Sequence, residues 1–231
     1  MEKSITVMIP AYNEEKGLAT TVNMVQKIIE DLFTDYEILI FDDFSSDRTG
    51  EIADDLVKEN PKIRAIHNEK NRGLGYNFRR GAKIATKEYY CLIWADVDST
   101  SDSIKYLLSH TGDADFITSY IGDKKRALHR RFVSEGFIYT LNLLFNMNMR
   151  GYCGITVYNT EQLRNVKMRT NSFAMNAEVM IPLVKRGFSY KEYPLSAEKE
   201  KIGESTIFRL KNIIGVLKTV SILFLEIYFK L

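Results

Sequence analysis

The sequence predicts an α/β protein, a Rossmann-like, doubly wound and mostly parallel sheet flanked by helices. Two observations predict it. Short β-rich runs alternate with helical patterns through the first hundred residues, and three of those runs end in polar, acid-bearing turns. "SITVMIP" (4–10) and "YEILIF" (36–41) are the first two strands, each closed by turn residues. Between them, 14–33 spaces Leu18, Val22, Val25, Ile28, Ile29 and Leu32 as one face of a helix. A second helix over 45–60 has Ser46 or Asp47 as its N-cap. Strand 62–67, helix 74–86 and strand 88–94 complete the regular half. Beyond Asp98 the alternation loosens. Helices are expected at 101–110, 128–147, 174–187 and 205–230, with strands at 114–119, 154–158 and 189–194.

The bulk numbers exclude several function classes. With 231 residues, 45% apolar and 27% charged, the chain supports one sizeable globular core. A formal net charge of +2 gives no electrostatic case for nucleic acid as a partner. Cys91 and Cys153 are too few for a disulfide framework, which predicts a reducing cytoplasm. The N-terminus runs straight into a strand and shows no signal-peptide pattern. His67, His110 and His129 lack metal-ligand spacing, and Trp94 with its neighbouring tyrosines reads as core.

Chemistry concentrates at the strand ends. In parallel α/β sheets, ligands sit beyond the carboxyl ends of the strands. Here those ends carry "PAYNEE" (10–15), "DDFSSD" (42–47) and "DVDS" (96–99). Asp96 and Asp98 stand two apart, so in extended chain they point the same way. The nearest cationic side chains in sequence are Lys87 and Lys105. Two carboxylates converging without a cation repel each other. A hard divalent ion, Mg²⁺ or Mn²⁺, would supply the missing charge, with phosphate oxygens completing its shell.

Taken in order, "IPAYNEE", "DDFSSDRTG" and "DVD" resemble the family-2 glycosyltransferases of GT-A fold. The likeness is closest to the polyprenyl-phosphate sugar synthases typified by dolichol-phosphate mannose synthase. It continues through "NRGLGYNFRRGAKIA" (71–85), "RRFVS" (130–134), "YCGITVYNTEQL" (152–163), 176–195 and "IGEST" (202–206). The resemblance implies that Pro10, Tyr12, Glu14, Phe41 and Asp43 line the nucleotide of a GDP-mannose or UDP-sugar donor. Asp96 and Asp98 would hold the metal and the sugar diphosphate, with Val97 contributing backbone. Arg130, Arg131 and Ser134 would grip the phosphate of a polyprenyl acceptor such as dolichol or undecaprenyl phosphate. Gly73 and Gly75 read as a turn leading into a helix rather than as a dinucleotide fingerprint.

Three departures stand out. Tyr120 occupies a position where the family often has an arginine. The late loop offers Lys199 and Lys201 in place of the family's arginines, beside Glu198, Glu200 and Thr206. Gly151 and Tyr152 precede Cys153 where many relatives carry an acid. Glu178 stands alone in "MNAEVM", where relatives with hydroxyl acceptors commonly show paired acids. A saccharide hydroxyl needs a general base, whereas a lipid phosphate is already anionic. The catalytic set is therefore Asp98, Arg130 and, for a hydroxyl acceptor, Glu178. A saccharide acceptor in cell-surface polysaccharide synthesis and a non-catalytic membrane-associated binding module stay open as alternatives.

The tail, "IIGVLKTVSILFLEIYF" (213–229), is strongly apolar but interrupted by Lys218 and Glu226. Its polar positions fall on one helical side, which suits a helix lying in the membrane interface, with a helix packed on the core or on another subunit as the alternative. The expected organisation is a transferase domain over 1–206 and an amphipathic membrane-interface helix over 207–231. That places the chain peripherally at the cytoplasmic face of the membrane, and leaves room for a separate integral membrane partner.

Overall fold

A computed structural model describes residues 3–95, 99–121, 128–171, 174–196 and 210–229. Its regular half runs β1 (Ser4–Ala11), α1 (Leu18–Leu32), β2 (Asp35–Asp42), α2 (Thr49–Glu59), β3 (Ile63–His67), α3 (Leu74–Ile84) and β4 (Tyr89–Leu92). The second half adds α4 (Ser101–Ser109), β5 (Phe116–Ile121), α5 (Leu128–Phe145), β6 (Thr156–Asn159) and α6 (Thr160–Arg164). It closes with α7 (Met175–Lys185), β7 (Tyr190–Leu195) and α8 (Leu210–Phe229). The short α6 was not anticipated, and it is capped by the Asn159 carboxamide, which accepts from Glu161 N and Gln162 N.

The seven strands lie in the order β3-β2-β1-β4-β6-β5-β7. All pairs are parallel except β4–β6 and β6–β5, so β6 runs against its neighbours. Two antiparallel steps restore direction. The C-terminal ends of β1, β2, β3, β4, β5 and β7 therefore share one edge.

Strand alternation divides the core between the two faces. Ile5, Val7, Ile9, Ile38, Ile40, Cys91 and Ile93 point to one face and meet Leu18, Val22 and Ile29 of α1, Leu56 of α2 and Leu107 of α4. Met8, Leu39, Phe41, Tyr90 and Leu92 point to the other, against Phe78 of α3, Phe145 of α5, Val179 of α7 and Leu223 of α8. Helices on both faces explain why these strands are apolar at nearly every position. Trp94 packs against the second of these faces, as expected of a core residue. Cys91 is buried, which pushes its thiol pKa up, and Cys153 is exposed.

The helix starts move inward from the sequence reading. α1 begins at Leu18, because Glu14 O accepts from Gly17 N and Leu18 N in a tight turn. α2 begins at Thr49, and Asp47 serves it by accepting from the Thr49 backbone and hydroxyl at 3.0 and 2.5 Å. α8 takes up the core-packed alternative along one of its faces. Its Thr219 and Leu223 are buried, with Val220, Phe224 and Ile227 packed around them, so one face belongs to the protein core. Glu226, read above as an interruption, forms ion pairs with Arg169 and Lys167. The other face stays open, with Ile214, Leu217, Leu225, Tyr228 and Phe229 exposed. No helix among the described residues is long and apolar enough to cross a membrane.

Candidate active site

The turns after β1 and β2 are laced together at the common edge. Asn13 N donates to Ser45 Oγ at 3.0 Å, and Asn13 Oδ1 accepts from Ser46 N at 2.8 Å. Glu14 N donates to Thr49 Oγ1 at 2.8 Å, and Glu15 N to Asp47 Oδ2 at 3.2 Å. Asn13 and Phe44 sit at φ 57° and 69°, the left-handed region that tight turns require. The two turns therefore form one rigid platform. It displays Tyr12 and Phe44, which are 52% and 58% exposed.

Asp42 ends β2 and Asp43 follows it, with their side chains facing opposite ways. Asp42 accepts from Ser45 N at 3.0 Å and meets His67 Nδ1 at 3.0 Å, while His67 Nε2 meets Asp54 at 3.1 Å. Asp42's hydrogen bond raises the His67 pKa, with Asp54 adding to it. Asp43 accepts from Asn68 Nδ2 at 2.7 Å and from Arg72 N and Gly73 N at 2.8 Å each. It thereby pins the loop that opens α3, where Gly73 sits at φ 83°. Asn68 extends the network to Asn77 Oδ1 at 2.7 Å and accepts from Arg80 at 3.0 Å. The Arg80 guanidinium lies 5.9 Å from the centroid of the Phe41 ring.

These contacts sort the sequence-predicted nucleotide residues. Pro10 pairs with Phe41 at the ends of β1 and β2, with Glu14 half-buried beside the platform. Tyr12 is open to a ligand. The Phe41 ring is fully buried, so only its backbone reaches the edge. Asp43 is buried as a loop anchor. Asp96, Val97 and Asp98 lie outside the described residues. Immediately before them Ala95 is buried, and its carbonyl accepts from Thr21 Oγ1 at 2.6 Å. Among the described residues no three His, Cys, Asp or Glu side chains group to hold a metal ion.

Sequence reading missed the cations beside the platform. Arg72, Arg79 and Arg80 all come from "NRGLGYNFRRG", a stretch read there only for its glycines. Arg79 donates to Thr170 O and, at 2.7 Å, to Asn171 Oδ1. Gly75 makes this crossing possible, since a Cβ there would meet Thr170 O at 2.3 Å. The same loop is held from below by Glu178. Its Oε1 accepts from Arg169 N at 2.9 Å and Thr170 N at 3.2 Å, and its Oε2 from Thr170 N at 3.0 Å. Burial raises the Glu178 pKa against those bonds, and the side chain is 5% exposed.

On the acceptor side, Ser134 is half-buried in the first turns of α5. Arg130 and Arg131 belong to that helix, but their side chains lie outside the described residues, as do Lys199, Lys201 and Thr206. On α5, Val133, Tyr139 and Leu143 are exposed. A groove of about 310 Å³ between α5 and α8 is lined by Leu144, Val220, Ser221, Phe224 and Leu225.

Comparison with known proteins gives this geometry a context. The family model described as "Glycosyl transferase family 2" matches residues 6–167. The glycosyltransferase AglD of Haloferax volcanii is 23% identical over 92% of this chain, which spans 35% of AglD. A dolichyl-phosphate beta-glucosyltransferase of Dictyostelium discoideum is 23% identical over 93% of this chain and 76% of its own length. Among solved structures, glucosyl-3-phosphoglycerate synthase of Mycobacterium tuberculosis, in complex with Mn²⁺, UDP-glucose and phosphoglyceric acid, superposes with a TM-score of 0.70. It is 15% identical, covering 95% of this chain and 80% of that one, a likeness that establishes the GT-A fold.

Proposed function

Because the chain belongs to glycosyl transferase family 2, we propose that it transfers a sugar, with inversion, from a nucleotide-sugar onto a polyprenyl phosphate. The reaction takes place at the cytoplasmic face of a membrane. An oxygen of the acceptor phosphate attacks the anomeric carbon, the bond from that carbon to the diphosphate oxygen breaks, and the nucleoside diphosphate leaves. The platform of Tyr12 and Phe44 offers aromatic faces to the base, and the Asp43-pinned loop with Arg72 walls the nucleotide pocket. Asp96 and Asp98 would hold Mg²⁺ or Mn²⁺, which neutralises charge on the departing diphosphate.

One observation carries the choice of acceptor. Glu178 stands where a general base would be sought, yet both of its oxygens are committed to backbone amides. A Glu178 held in this way suits a nucleophile that is already an anion. The exposed apolar side chains of α5 and α8 agree, since a prenyl tail and a lipid surface both require such contacts. The names of the dolichyl-phosphate relatives point the same way.

The test is a panel of radiolabelled nucleotide-sugars with Mn²⁺ or Mg²⁺, polyprenyl phosphate in mixed micelles, and a saccharide pool. Label entering the organic phase is expected. Label entering soluble glycan would replace this reading with the saccharide one. Absence of both transfer and donor hydrolysis across the panel would leave a binding module.

A further inference from the structure

Arg150 sits on the edge shared by the strand ends, three residues before Cys153, in a segment pressed onto the end of β5. Its position is over-determined. The Arg150 backbone N–H donates to Glu192 Oε1 of β7 at 2.7 Å. A Cβ on Gly154 would meet Ser119 O at 2.0 Å, so this segment rests directly on β5 backbone. Tyr152 Oη donates to Asn142 Oδ1 at 2.8 Å, which ties the segment to α5. The Arg150 side chain then crosses Tyr120, donating to its hydroxyl at 2.7 Å with the guanidinium 4.9 Å from the ring centroid. The Glu192 carboxylate feels the charge of that guanidinium, but no ion pair closes between the two, and Arg150 is exposed.

A guanidinium fixed by stacking and one hydrogen bond keeps further N–H groups for a planar oxyanion. Its place selects which oxyanion. Tyr120 ends β5, separated by β6 from β4 and lying beyond β1 and β2, whose turns form the nucleotide platform. The segment is instead bound to α5, the helix that carries Ser134. We propose that Arg150, aimed by Tyr120, binds the acceptor's phosphate. Arg150 is the ligand-contacting residue and Tyr120 its positioning residue. This rests on the phosphate-acceptor reading above and assigns to it a cation that the sequence pattern did not mark.

The experiment measures binding and turnover in parallel. Farnesyl phosphate is titrated calorimetrically against the full chain, with farnesol as the uncharged control, and UDP and GDP report the donor site. Arg150→Ala is expected to weaken farnesyl phosphate by about tenfold or more, as for loss of a charge-assisted contact. Nucleotide affinity should stay within about twofold and farnesol should not respond. In turnover the loss should appear in the acceptor KM rather than the donor KM. Arg150→Lys should recover part of the affinity, and Tyr120→Phe should give a smaller loss than Arg150→Ala. Unchanged farnesyl phosphate affinity in Arg150→Ala, or an equal loss of nucleotide, overturns the assignment. Wild-type transfer to lipid phosphate alongside either result leaves the acceptor reading standing. Wild-type protein that binds farnesyl phosphate no better than farnesol removes the assignment, and with label in soluble glycan removes the acceptor reading too.

Discussion

The half built from β1 to β4 and the half built from β5 to α8 treat charge in opposite ways. In the first, acids at the edge are spent on the protein's own backbone. Asp43 holds Arg72 N and Gly73 N, Asp42 holds Ser45 N, and Asp47 starts α2. The outcome is a stiff platform that presents aromatic faces. In the second, the main buried acid, Glu178, is likewise committed, while Arg150 and apolar side chains on α5 and α8 remain exposed. Under the proposed reaction, the stiff half would serve the nucleotide-sugar and the half with exposed Arg150 and apolar side chains would serve the lipid phosphate.

The strongest test of that division strikes the point where the halves meet. Asp98→Ala should lower kcat by about 10³-fold, the several kcal/mol that a bound divalent ion contributes to charge stabilisation. The melting temperature should stay within a degree or two of wild type, as expected of a residue that serves the ligand rather than the fold. Full activity in this variant would detach the metal from the reaction.

Next in size is a break confined to the acceptor half. Gly154→Ala drives a methyl into Ser119 O, and backbone cannot yield as a side chain would. A cost near the upper end for over-packing, about 3 kcal/mol, is expected. That corresponds to a fall of roughly 6–12 °C in Tm for a chain of this size. Gly136→Ala is the control, because a Cβ there has nothing within 4 Å and lies in a helix that alanine favours. Equal melting of the two variants would show that the segment bearing Arg150 is not seated on β5.

A smaller effect separates anchor from base at Glu178. The substitution Glu178→Gln keeps an oxygen in the Oε1 position, which accepts from both Arg169 N and Thr170 N. An anchor of that kind should lose less than about tenfold in kcat, whereas a general base contributes on the order of 10²–10⁴. The pH–rate profile should keep its shape in the variant.

The contrast between halves also explains what the sequence could disclose. Alternating β and amphipathic runs exposed the sheet, and the polar turns exposed the edge, because both are local patterns of period two or 3.6. Many of the contacts that shape the site were not local. Arg79 meets Thr170 across 91 residues, and Tyr228 donates to Leu144 O across 84. The family resemblance names Asp43 as a nucleotide residue, and its bonds to Asn68, Arg72 and Gly73 add a loop contact that no local pattern announces. Arg150 was passed over for a related reason. Its value comes from Tyr120 and Glu192, 30 and 42 residues away. The sequence leaves α8 open between core and membrane interface, since one apolar stripe can meet lipid or core and periodicity does not distinguish them.

The smallest effect lies on the donor half and follows from His67. Its two ring nitrogens face Asp42 of β2 and Asp54 of α2, with Gly50 packed against the ring. The hydrogen bond to Asp42 is the main cause of its raised pKa, opposed by partial burial and aided by Asp54. A raised folded pKa means that the native state holds the proton more tightly than the unfolded chain. The resulting stability is fully present below the unfolded value, about 6.5, and is lost as pH rises through the folded value. Asp42 itself is pulled upward by burial but brought lower by Ser45 and His67, so its own contribution fades only in acid, outside this window. Because the His67 and Asp54 side chains are 42% and 59% exposed, solvent screening keeps the effect under about 1 kcal/mol. Urea midpoints between pH 5.5 and 8.5 should therefore drift downward across neutrality in the wild type and flatten in His67→Gln. An identical drift in both proteins would mean that the imidazole carries no linked proton, and that the platform is held by its backbone contacts alone.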